Sequence, residues 1–271
     1  MEITDEEKTT LLNELNDRYG YDFRQYSAAS LRRRIVRFAH IFRIENYFDL
    51  RHHLLNDEKL FASFILEVTV NVTEMFRDPD FFIELREKVF PVLETYPFIK
   101  IWHAGCSTGE EVYSMAIALE EAGLYEKTKL YATDLNTDVI AKARDGIFSV
   151  KSMKEYTSNY MRAGGTAHFS DYYTAAYGNA IFSDALKRNM IFSVHNLVSD
   201  NSFNEFNLII CRNVLIYFQR SLQERVFKLF EESLSIRGFL VLGSKESLSL
   251  SPVARQFTEF SKRQKIYRHK N

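Results

Sequence analysis

Four short segments of this chain carry residue types that could do chemistry. The first is His103-Ala104-Gly105-Cys106-Ser107-Thr108-Gly109-Glu110-Glu111, a run of small residues between an apolar stretch and a helix-like one. In an open α/β sheet, ligands bind outside the carboxyl ends of the strands. Small residues there let a ligand approach the backbone closely. Glu111 falls in the first helical turn, where a carboxylate is favoured and where it can also hold a ligand ammonium. Taken alone, the segment reads equally well as an ordinary strand-to-helix turn. The second is Ala132-Thr133-Asp134-Leu135-Asn136. An acid that ends the next strand, about 20 residues past a glycine turn, is placed to accept both hydroxyls of a ribose. Its alternative role is to cap a helix starting near Asn136. The third, Cys211-Arg212-Asn213-Val214-Leu215-Ile216-Tyr217-Phe218, puts polar residues directly after an apolar strand. If buried, Arg212 needs a partner; Tyr217 offers a hydroxyl on an apolar body. The fourth is Asn71-Val72-Thr73-Glu74-Met75-Phe76-Arg77-Asp78, which means little by itself.

The elements that position these segments change type along the chain. Residues 1–77 read as helices with no strand alternation. Thr4 and Glu7 form a capping box ahead of Leu11, Leu12 and Leu15. Ser27 is placed to cap a helix over about 28–42, and further helices fit about 46–55 and 57–70. Asp78 to about Glu94 carries Phe81, Phe82, Leu85, Val89 and Leu93 at helical spacing. From Phe98 onward, strands at 99–104, 129–133, 207–211 and 238–243 alternate with helices at about 110–122, 136–143 and 219–236. That alternation predicts a doubly wound parallel sheet, an α/β domain over 78–271. Residues 150–200 break the rhythm. Ala167–Phe169, Ala180–Phe182 and Met190–Val194 read there as short antiparallel strands inserted into the fold.

Composition narrows the function classes. The chain has 271 residues, 46% hydrophobic and 26% charged, with a net charge of -1, so no global charge advertises nucleic acid or an anionic membrane. Cys106 and Cys211 are its two cysteines, and neither has a neighbour at metal-ligand spacing; no metal is expected. The acidic, polar start is unlike a signal peptide, and no apolar run approaches the roughly 20 residues that span a bilayer. The expectation is a cytoplasmic monomer that does not insert into membranes.

Together the four segments resemble the CheR family of chemotaxis protein-glutamate methyltransferases. The family's Asn-x-Thr-x-x-x-Arg segment appears as Asn71, Thr73 and Arg77, and its Ser-Thr-Gly-Glu-Glu turn stands at 107–111. Its Ala-Thr/Ser-Asp strand end stands at 132–134, and its Arg-Asn-x-x-x-Tyr-Phe segment at 212–218. The resemblance implies a helical N-terminal domain, a Rossmann-like S-adenosylmethionine domain with a small antiparallel insertion, and S-adenosylhomocysteine as product. It implies that Asp134 binds the ribose and Glu111 the methionyl end, with Asn196, Leu197, Arg212 and Asn213 lining the adenosine site. Asn71, Thr73 and Arg77 would close over the cofactor, with Arg77 and Tyr217 nearest the transferred methyl as catalytic residues. The substrate implied is a glutamate side chain of a chemoreceptor-like signalling protein with acidic helices.

The chemistry implied is an in-line displacement at a sulfonium methyl. A glutamate with a pKa of about 4.3 is already ionised at neutral pH, so no general base is required. Arg77 stays protonated and can position but not deprotonate.

Substrate docking has its own signal. On a helix over 31–43, Leu31, Ile35, Phe38, Ala39 and Phe42 share one face. Arg32, Arg33, Arg37, His40 and Arg43 share the other, with Arg34 just beyond. That basic face suits an acidic helical partner or is a solvated surface; nucleic acid is not expected. His103 and His195 read as satisfied structural residues, and the two cysteines as packing residues.

The chain departs from the family pattern at Trp102–Cys106, at Gly243-Ser244-Lys245-Glu246-Ser247, where the family often has Gly-His-Ser-Glu, and in a longer insertion. These departures leave open another protein carboxylate in a two-component pathway, a small-molecule acid, or an idle module that senses S-adenosylmethionine.

Overall fold

The capping box forms as predicted. Thr4 Oγ1 accepts the Glu7 N–H at 3.2 Å, and the Glu7 carboxylate accepts the Thr4 N–H at 2.8 Å. It starts α1 (Asp5–Tyr19), which ends on left-handed Gly20. Three more helices follow: α2 (Ala28–Ile41), α3 (Tyr47–Asn56) and α4 (Glu58–Thr69). The side chains of Asn46 and Asp57 cap α3 and α4. Ser27 stands at the N-cap of α2 but makes no side-chain cap. Its N–H instead donates to the Tyr217 carbonyl at 2.7 Å.

This computed structural model describes residues 1–270 and divides into two compact units. The helical unit comprises Met1–Asn71 and Leu215–Val226. Leu31, Ile35, Phe38 and Ala39 are buried in it with Phe61, Phe64 and Ile65. Phe42, expected on the same buried face, is 42% exposed because α2 has ended at Ile41.

The second unit comprises Val72–Val214 and the chain from Phe227 onward. It opens with α5 (Pro79–Glu84), a π-turn at Leu85–Val89, and α6 (Phe90–Glu94). Pro91 lacks an N–H, so the ordinary helical bond to the carbonyl four residues back cannot form there. The Phe90 N–H reaches back five residues to the Leu85 carbonyl.

Strands and helices then alternate: β1 (Ile99–Ala104), α7 (Glu110–Glu121), β2 (Thr128–Asp134) and α8 (Thr137–Asp145). The insertion supplies β3 (Ile147–Ser149), α9 (Met153–Arg162), β4 (Tyr173–Ala176), β5 (Asn179–Phe182) and α10 (Asp184–Lys187). The chain returns through β6 (Met190–Val194), β7 (Phe206–Cys211), α11 (Arg220–Ser233), β8 (Leu234–Leu242), β9 (Phe257–Ser261) and β10 (Ile266–His269). The main sheet runs β6-β2-β1-β7-β8-β10-β9; β6, β2, β1, β7 and β8 are parallel, and β10 and β9 antiparallel. The chain passes outward from β1 to β2 and β6, then crosses back to β7 and β8. Strand order therefore reverses at β1, and the crevice that a ligand would use opens at its carboxyl end.

The insertion corrects two expectations. Its three-stranded antiparallel sheet is β3-β5-β4. Met190–Val194 is a parallel edge strand of the main sheet, paired from Leu130↔Met190 to Asp134↔Val194. Ala167 and His168 lie outside any strand, and Phe169 begins a 3-10 turn. β4 and β5 meet through Tyr177 and Gly178, both left-handed, the backbone of a tight hairpin turn. Among the described residues, no helix is long and apolar enough to cross a membrane.

Candidate functional site

The turn after β1 is built from backbone bonds to β2. The N–H groups of Gly105 and Cys106 both donate to the Thr133 carbonyl, at 2.8 and 2.9 Å. Gly105 has φ of +80°, and a Cβ there would lie 2.5 Å from Val214 Cγ2, so the site requires glycine.

Asp134 ends β2 and is 8% exposed. Its carboxylate accepts the N–H of Ser107 at 2.9 Å and of Asn136 at 3.1 Å. It does not cap α8: Asn136 does, accepting the N–H of Asp138 and Val139. Burial pushes the Asp134 carboxyl above its ordinary value, against the pull of those backbone donors. At the end of β6, the His195 N–H donates to the Asp134 carbonyl at 3.1 Å, which sets Asn196 and Leu197 on the same rim. The Asn196 side chain accepts the Val198 N–H, and Leu197 is buried.

On the other side of β1, Glu111 and Arg212 meet. Arg212 reaches one Glu111 oxygen at 3.0 Å, and His103 Nδ1 lies 3.1 Å from the other. Burial alone would raise the Glu111 carboxyl; the His103 hydrogen bond and the Arg212 charge outweigh it and hold the group below its ordinary value. The Arg212 guanidinium also pairs with Asp78 and sits 4.3 Å over the Phe81 ring. The predicted partner for a buried arginine is thus a pair of carboxylates.

Asn213 follows in a left-handed conformation, φ 62°. Glu246, which is buried, holds that turn. Its carboxylate accepts the N–H of Asn213 at 3.1 Å, of Val214 at 2.9 Å and of Gly243 at 2.6 Å.

Thr73 and Arg77 lie in the segment that enters this unit. The Phe76 N–H donates to Ser114 Oγ on α7 at 2.8 Å, and Asn159 Nδ2 donates to the Met75 carbonyl at 3.2 Å. Phe76 and Asp78 are left-handed, so the segment is fixed rather than free-running. Arg77 touches the Val72 carbonyl, and its own carbonyl receives a 3.5 Å bond from Arg212.

Seven of the expected residues therefore share one unit at the strand ends: Glu111, Asp134, Asn196, Leu197, Arg212 and Asn213, with Arg77 linked through Arg212. Thr73 is in the same unit, with no such bond to the rim. Asn71, Tyr217, Arg32, Arg33, Arg37 and Arg43 belong to the helical unit. Asn71 there donates to Thr69 Oγ1 at 2.9 Å. Sequence reading gave Asp78 and Glu246 no role. Glu246 did carry a signal, since it keeps, with Gly243, the ends of the family's Gly-His-Ser-Glu while the two residues between them differ.

The rim has unused capacity. His103 Nε2, Ser107 Oγ, Asn136 Nδ2 and His195 Nδ1 are buried without a hydrogen-bond partner. His103 and His195 are thus not the fully satisfied residues expected. Buried polar atoms are rarely left so, and four at neighbouring strand ends fit a polar ligand with hydroxyl and amine groups. Both cysteine thiols are buried, and burial pushes them well above their ordinary value, so neither is a thiolate.

Comparison with known proteins fits this geometry. Residues 6–69 match the CheR methyltransferase all-alpha domain, and residues 71–266 match the CheR methyltransferase SAM-binding domain. A Pseudomonas putida protein that bears the name methyltransferase Cher3 is 49% identical over 98% of this chain and 97% of its own. An uncharacterized 104.1 kDa Rhodobacter capsulatus protein is 31% identical over 91% of this chain, which spans 26% of that protein. A Listeria monocytogenes chemotaxis protein methyltransferase is 28% identical over 84% of this chain and 85% of its own. With both family domains matched in order and the strand-end rim built for a polar ligand, this chain belongs to the CheR methyltransferase family, and its cofactor is S-adenosylmethionine.

Proposed function

We propose that this protein transfers a methyl group from S-adenosylmethionine to glutamate side-chain carboxylates of a chemoreceptor-like signalling protein. The observation that carries the reading is the strand-end rim itself. Two carboxylates, Asp134 and Glu111, stand on either side of a glycine turn that a Cβ would block.

The bound cofactor supplies a methyl on a positively charged sulfur, open to displacement by an anionic oxygen. Asp134 accepts the ribose hydroxyls, for which its two backbone donors keep it oriented. Glu111 takes the methionyl end, and Asn196, Leu197, Arg212 and Asn213 line the adenosine side. Asn71 and Thr73 join them by their family motif alone. Arg77 and Tyr217 steer the acceptor carboxylate. An ion pair with Arg77 that was too tight would stabilise the reactant carboxylate and slow transfer, so Arg77 positions rather than clamps. The catalytic gain is chiefly orientation, which in favourable cases amounts to about 7–11 kcal/mol.

Residues 1–77 serve as the docking part in this reading. Their α2 face presents Arg32, Arg33 and Arg37, with Arg43 just past the end of the helix, to acidic helices of the substrate.

The test is methyl transfer from tritiated cofactor to candidate receptor proteins, followed by base treatment. Base-labile label released as methanol supports the glutamate ester. Base-stable label excludes a carboxylate acceptor, and cofactor binding without transfer to any candidate points to an idle sensing module.

A further inference from the structure

Beside the rim lies a cleft of about 380 Å³ in the second unit, lined by Asp78, Asp80, Arg162, Arg212, Ser244 and Arg263 among others. Three arginines line it, and their pairing differs from one to the next. Arg212 is engaged by Asp78 and Glu111, and Arg263 by Asp80. Arg162, at the exposed end of α9, has no carboxylate partner among the described residues; it donates only to Asn159 Oδ1.

The position of the cleft matters as much as its charge. Arg212 follows β7 and Ser244 follows β8, so the cleft opens at the carboxyl ends of the same parallel strands that carry the rim. Arg212 belongs to both. A protein that presents a carboxylate at the rim must lay neighbouring chain nearby, and the free charge of Arg162 selects acidic chain. The Arg263–Asp80 pair is exposed, so exchanging Asp80 for an incoming carboxylate costs little.

We infer that this cleft is a second docking site, in which Arg162 and Arg263 hold an acidic segment of the protein substrate while its glutamate is methylated. The inference rests on the function proposed above and names residues outside the α2 face. Among the described residues, the hydrogen-bond and ion-pair partners of the two arginines are Asn159 and Asp80, neither of them assigned to the cofactor.

The experiment uses the full chain as wild type, as Arg162→Glu, as Arg263→Glu and as the double variant, with methyl transfer and cofactor affinity measured on each. The expected result is a KM for protein substrate raised about tenfold or more in the double variant, with kcat and cofactor Kd within about twofold of wild type. Raised salt should weaken the wild type more than the double variant. Arg162→Ala and Arg263→Gln keep the test open if charge reversal harms folding. An unchanged KM overturns the inference, as does a loss of cofactor affinity with KM unchanged, which would assign the cleft to the cofactor. If the wild type methylates no carboxylate, the parent reading fails instead. Binding of a labelled glutamate-rich peptide, compared between wild type and double variant, then decides the cleft alone: equal binding overturns it.

Discussion

His103 and Arg212 grip opposite oxygens of the Glu111 carboxylate, at 3.1 and 3.0 Å, one from the end of β1 and the other from the end of β7. A carboxylate held from both sides has one orientation, which is what a residue that receives a ligand ammonium needs. His103→Ala should therefore lower cofactor affinity while leaving the KM for protein substrate unchanged, and His103→Gln should recover part of the loss. Calorimetry with S-adenosylhomocysteine reads the first quantity. Equal affinity in all three proteins would remove His103 from any positioning role.

The same contacts set an acid limit on stability. Glu111 has a folded-state pKa below its ordinary value of 4.5. Its ionised form thus contributes stability that is fully present above that value and is lost as pH falls through the folded-state value. Glu111→Gln should flatten the stability curve below about pH 4.5, as seen by denaturant unfolding at a series of pH values. A curve parallel to wild type would show that the contacts contribute nothing net.

Asp134 titrates in the opposite direction. Burial raises its carboxyl above the ordinary 3.8, so protonation begins at a higher pH than for an exposed aspartate. Cofactor affinity should therefore decline on the acid side starting above 3.8, and Asp134→Asn should show weak binding without that limb. Losing the hydrogen bonds of a charged acceptor costs about 1.5–3 kcal/mol, or about ten- to a hundredfold in affinity. Tight binding by Asp134→Asn would refute the ribose assignment.

Glu246 links two strand ends through three backbone donors and so holds Asn213 in its left-handed turn. Removing the acceptor leaves buried N–H groups unpaired, at about 1–3 kcal/mol. Glu246→Ala should lower unfolding stability by that order and weaken cofactor binding as Asn213 relaxes. A full loss of stability with unchanged cofactor affinity would limit Glu246 to a structural part.

What local chemistry determines was readable in the chain, and what distant pairing determines was not. The Thr4–Glu7 box, the glycine turn after β1 and the Asp134 strand end depend on neighbours in sequence. They appear where residue type and spacing put them. Met190–Val194 is as apolar as an insertion strand would be; only its pairing with β2 assigns it to the main sheet. β3 has three residues and β4 four, too short to display alternation. Asp78 escaped notice because its partner Arg212 is more than a hundred residues away; the partners of Glu246 are backbone groups, so only its place in the family motif marked it.

The basic face of α2 is less uniform than its spacing implies, and this ranks its arginines. Arg32 pairs with Asp5 at 2.7 Å, while Arg34 and Arg37 share Glu67 at 3.2 and 3.5 Å. Arg33 is exposed and has no carboxylate partner among the described residues. An acidic helix gains most from the cation that no internal acid already screens. Arg33→Glu should therefore raise the KM for protein substrate more than Arg37→Glu, and Arg37→Glu more than Arg32→Glu, with cofactor affinity constant throughout. Initial rates of methyl transfer at low and high salt would read the order, and the spread should narrow as salt rises. If the three reversals weaken cofactor binding instead, or weaken substrate binding equally, α2 is a solvated surface and docking lies elsewhere on the protein.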